Sequence, residues 1–77
     1  MEETAAANAG IARILLLQNE STEALVYANK AVSLDPMNYE YYYLRGRVQE
    51  MRKMTGDAVS DYEVGMQINS NYAPLYY

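Results

Sequence analysis

The sequence predicts an all-α fold built from antiparallel helix hairpins. Apolar residues recur at spacings of three and four along nearly the whole chain, as one buried face of a helix requires. Capping or breaking clusters interrupt that pattern at Asn19-Glu20-Ser21, Asp35-Pro36 and Asn69-Ser70-Asn71. The chain also falls on itself when shifted by 34 residues. Leu34-Asp35-Pro36-Met37-Asn38 then lands on Ile68-Asn69-Ser70-Asn71-Tyr72, and Tyr42-Tyr43 on Tyr76-Tyr77. Ala12 lands on Gly46, Arg13 on Arg47, Ala24 on Ala58 and Ala31 on Gly65. No segment shows the period-two alternation of a strand.

The first helix starts in the alanine-rich stretch Ala5, Ala6, Ala7 and Ala9, strong helix formers. It continues through Ile11, Ile14 and Leu15, spaced i, i+3, i+4. Asn19-Glu20-Ser21 ends it and offers capping side chains to a second helix carrying Ala24, Ala28, Ala31 and Leu34. Asp35-Pro36 stops that helix, because proline lacks the N–H and pushes its predecessor out of the α region. Asn38 caps a third helix, from about Tyr39 to Lys53. Thr55 or Gly56 opens a fourth, with Asp57 complementing the positive helix end and Ala58, Tyr62, Gly65 and Ile68 along it. Pro74 suits the first turn of a fifth. The third-to-fourth turn has no glycine before Gly56, so the helix formers at 50–54 favour a third helix that runs on.

Seventy-seven residues allow one small domain, 1–77, which buries only about 60% of its unfolded surface and needs good packing or a partner chain. Cysteine and histidine are absent, so disulfides and the usual thiolate or imidazole metal sites are absent too, and no cofactor is expected. A net charge of −4 argues against nucleic acid as partner. The longest apolar runs, 14–17 and 24–28, are far too short for a bilayer. Residues 1–10 lack the basic start and apolar core of a secretory leader, and cytoplasm is the default expectation. Without His or Cys the common catalytic base and nucleophiles are missing, so an enzyme is not expected. Carboxylate pairs such as Glu50 with Asp57 or Asp61 read as solvated helix faces.

Two helices per 34 residues is the period of a tetratricopeptide repeat, and the chain resembles that family over nearly its whole length. Residues 5–38 form one repeat, 39–72 a second, and 73–77 the start of a third. Ala24, Ala31 and Pro36 match the pattern, with Ile11, Ala12 and Leu15 standing in conservatively. In the second repeat Tyr42, Gly46, Ala58, Tyr62 and Gly65 match or nearly match. Asn8, Ala28, Arg45, Gln49 and Ser70 depart from it. Small residues let neighbouring helices approach, and each hairpin has an apolar face that only stacking can bury.

The resemblance implies a protein-interaction scaffold that binds a peptide or partner protein and does no chemistry, with the first helix of each repeat lining a concave groove. Under that geometry Tyr42 and Tyr62 belong to the core. Glu40, Tyr43, Arg47 and Glu50 share one side of the third helix, with Arg13 on the first and Tyr77 at the chain end. Arg13 and Arg47 then form a two-rung cationic ladder flanked by Tyr43 and Tyr77, suited to an extended acidic or aromatic peptide. The alternative has the arginines solvated or paired, Glu50 with Arg47 for example. The places of the family's chaperone-tail clamp hold Ala9, Arg13 and Leu44, so that ligand is not expected. The rival role is a self-associating segment, helix-swapped or part of a longer array. It would cover the outer face of the fourth helix and bury Ile68, Leu75 and Tyr76 between chains.

Overall fold

The computed structural model describes residues 3–70. Within them the chain forms four helices, α1 (Ala5–Leu17), α2 (Ser21–Leu34), α3 (Tyr39–Met51) and α4 (Thr55–Ile68), and no strand. All four bounds of the first hairpin recur 34 residues later in the second. Helix α1 packs on α2, α3 on α4, and both α1 and α2 pack on α3. The segment from Pro74 lies outside the described residues.

Side-chain capping explains where α1 and α3 start. Thr4 Oγ1 accepts from the Ala7 N–H at 3.1 Å and caps α1. Asn38 Oδ1 accepts from the Glu40 N–H at 3.0 Å and caps α3. Helices α2 and α4 have no side-chain cap, contrary to the capping role expected within Asn19-Glu20-Ser21. The residues in front of them are engaged in closing the preceding helix. Glu20 N–H donates to the Leu15 carbonyl and Asn19 N–H to Leu16, while Asn19 adopts φ 62°. Met54 N–H donates to Gln49 and Lys53 N–H to Glu50, with Lys53 at φ 63°. Both are Schellman turns with the left-handed residue just past the helix end. So α3 stops at Met51 instead of running to Lys53, and it stops without the glycine such a turn prefers.

The interior has two parts. Ala9, Ala12, Leu16, Ala24, Ala28, Ala31 and Val32 of the first hairpin join Tyr41, Leu44 and Val48 of α3. Tyr43, Ala58 and Tyr62 form the seam of the second hairpin. At that seam the Tyr62 ring covers Gly46 and the Tyr43 ring covers Gly65; a Cβ on either glycine would lie 2.6 or 2.5 Å from a ring carbon. The equivalent places in the first hairpin hold Ala28 with Ala12 and Ala9 with Ala31, all fully buried. One hairpin fills its seam with four methyls, the other with two rings seated on two bare backbones.

Candidate functional site

The residues assigned to a groove do not stay together. Tyr43, expected to face the groove, is interior. It is 5% exposed, lies against Gly65 and Tyr62, and meets Tyr39 edge-on at 5.8 Å between centroids. Helix α3 buries two faces at once, Tyr41, Leu44 and Val48 among the first-hairpin residues and Tyr43 and Gly46 against α4, so a position one step from Tyr42 is interior. Arg13, Glu40, Arg47 and Glu50 are exposed, and Tyr77 lies outside the described residues. Among the described residues neither Arg13 nor Arg47 has a carboxylate within 4.0 Å. Glu50 does not hold Arg47; its carboxylate accepts from the Tyr62 hydroxyl. That bond, after burial, helps push the Tyr62 hydroxyl well above its ordinary pKa.

The other tyrosines divide by depth. Tyr62 is 2% exposed. Tyr42 is half-buried at the edge of the first core, donating its hydroxyl to the Pro36 carbonyl at 2.8 Å. Tyr41 is buried, and Tyr27 and Tyr39 are half-buried.

Two polar features were not foreseen. Asp61, expected on a solvated face, is 6% exposed and takes a forked pair of bonds from Arg45, Nε to Oδ2 and Nη2 to Oδ1, both 2.7 Å. Arg45 also donates to Asn29 Oδ1 at 3.2 Å, so one guanidinium ties α2, α3 and α4 together. The hydrogen bond to Asp61 is the main reason its pKa rises above the ordinary arginine value. The departure of Arg45 from the repeat pattern was the available signal, but only the fold supplies its partner. Gln49, a second departure, is 8% exposed and its Oε1 has no hydrogen-bond partner among the described residues.

Helix α1 is apolar on both sides. Its inner side buries Asn8, Ala9, Ala12 and Leu16. Its outer side leaves Ile11, Ile14 and Leu17 at 41%, 56% and 80% exposure. On α4, whose outer face was expected to be open unless residues 73–77 or another chain covered it, Val59, Val64, Met66 and Ile68 are half-buried. Among the described residues no helix is long and apolar enough to cross a membrane.

No protein-family model, curated protein or solved structure matches this chain.

Proposed function

We propose that this chain is a protein-interaction module of the tetratricopeptide type, which receives an extended acidic segment across α1 and α3. One observation carries the reading. Arg13 and Arg47 stand at equivalent places on two helices that pack together, both exposed and neither held by a carboxylate among the described residues. The charged side chains of Lys30 and Arg45, by contrast, are engaged by Glu3 and Asp61. A guanidinium makes forked bonds to carboxylate, and two such groups on adjacent helices read two acidic side chains of one peptide. Glu40 and Glu50 at the margins disfavour a uniformly acidic ligand, and Tyr43 contributes packing, not contact. The family assignment rests on the 34-residue recurrence of every helix bound and of the turn geometry.

The test is calorimetric titration of an acidic peptide into the protein and into an Arg13→Ala/Arg47→Ala variant. The reading requires binding that weakens roughly tenfold or more in the variant and falls with added salt. Equal affinity of the two proteins overturns it.

A further inference from the structure

The outer side of α1 carries a feature that the acidic-segment reading does not use. Ala7, Gly10, Ile14 and Leu17 follow spacings of three, four and three, the seam of a two-helix coil. They lie opposite the buried Asn8, Ala9, Ala12 and Leu16. The only charge on α1 is Arg13. A helix apolar on both sides is ordinarily covered on both. The equivalents of Ala7, Gly10 and Ile14 on α3 are Tyr41, Leu44 and Val48, which are buried within the first core.

We infer that this face is an isologous interface on which a second copy of the chain lays its own α1 antiparallel. The size pattern selects the occupant. The seam is small in its N-terminal half, Ala7 and Gly10, and large in its C-terminal half, Ile14 and Leu17. Turned end for end about Ala12, Leu17 of one copy meets Ala7 of the other, and Ile14 meets Gly10. Every layer is large on small, so the backbones approach closely with no void. A parallel pairing would set large on large and leave a gap at the other end. The corresponding face of α3 is large throughout and lacks this self-complementarity. Thirteen residues give a contact about 20 Å long. Such a footprint stays below the ~1,200 Å² of a stable interface, so the dimer is weak and concentration-dependent. The two Arg13 side chains fall on the same flank, and screening them strengthens the pair.

Sedimentation equilibrium over a wide concentration range tests this. The mass should rise from one chain toward two, and rise further with salt, the opposite of the salt response of acidic-peptide binding. Ile14→Glu should abolish the rise. The deciding variant is Gly10→Leu. A Cβ at residue 10 meets nothing within 4 Å, so the chain accommodates it. In the antiparallel pair the new side chain occupies the place of Ile14 of the other copy, and association should weaken at least tenfold. A merely sticky apolar face would associate more tightly when leucine is added. A single-chain mass at all concentrations, or Gly10→Leu associating as well as or better than the parent, overturns the inference. Either result leaves the Arg13/Arg47 titration to be decided separately.

Discussion

The ring of Tyr43 lies directly over Gly65, close enough that a Cβ there would be 2.5 Å from its Cε1. A mid-helix glycine normally costs about 1 kcal/mol relative to alanine. Here that saving is outweighed, because the buried ring must move and overpacking costs about 1–3 kcal/mol. Gly65→Ala should therefore destabilise by about 1–2 kcal/mol, whereas Gly10→Ala, with open space at its Cβ, should stabilise by up to about 1 kcal/mol. Urea midpoints in dilute solution check both. Equal signs would show that the seam yields.

The Arg45–Asp61 fork predicts a second asymmetry. Asp61→Ala leaves a half-buried guanidinium without its counter-charge and should cost about 2–3 kcal/mol, toward the low side of buried-pair losses because Arg45 keeps an edge in solvent. Arg45→Met/Asp61→Leu together should cost less than Asp61→Ala alone. Thermal denaturation of the singles and the double closes the cycle.

Lys53 occupies a left-handed position at φ 63° that glycine takes without strain. Lys53→Gly should raise stability by about 1 kcal/mol and leave the helix ends in place. The Asn19→Gly change should give less, since asparagine already tolerates that conformation. A fall in melting temperature for Lys53→Gly would contradict the turn assignment.

Gln49 should be better as leucine, the residue its equivalent Leu15 already carries. Its Oε1 is buried with no partner among the described residues, and an unmade hydrogen bond of this kind costs about 1–3 kcal/mol. Gln49→Leu should recover part of that, about 1 kcal/mol in a urea melt.

Tyr62 gives the pH dependence. Its hydroxyl is raised above the ordinary value of about 10 by burial and by the bond to Glu50. The folded state therefore holds the proton longer than the unfolded chain. The resulting stability is fully present below about pH 10 and is lost as pH rises through the folded value. Stability should fall more steeply above pH ~10 in the parent than in Tyr62→Phe, which has no proton to lose. Parallel alkaline curves would show that the buried hydroxyl is not the cause.

Local chemistry made much of this legible. Asp35-Pro36 ends α2 and Asn38 starts α3 through backbone rules that operate over a few residues, and the 34-residue offset set the hairpin period. The α3 end was missed because Lys53 is an ordinary helix former; only the six-residue hydrogen-bonded turn behind it makes a left-handed lysine tolerable. The exposure of Arg13 and Arg47 was legible because it follows from helical phase. Tyr43 was misplaced because phase along one helix cannot say how many neighbours that helix has.

The sequence by itself determined four helices, the 34-residue period of their hairpins, and an interior that must close on small residues. Those properties follow from propensity, capping and periodicity, which act within one or two turns of chain. The tertiary structure alone decided which tyrosine sits on which glycine, that Arg45 meets Asp61, and that α1 keeps Ile14 and Leu17 exposed. Each depends on which helix lies beside which, and pairings across sixteen or twenty-two residues leave no periodic trace in the chain that makes them.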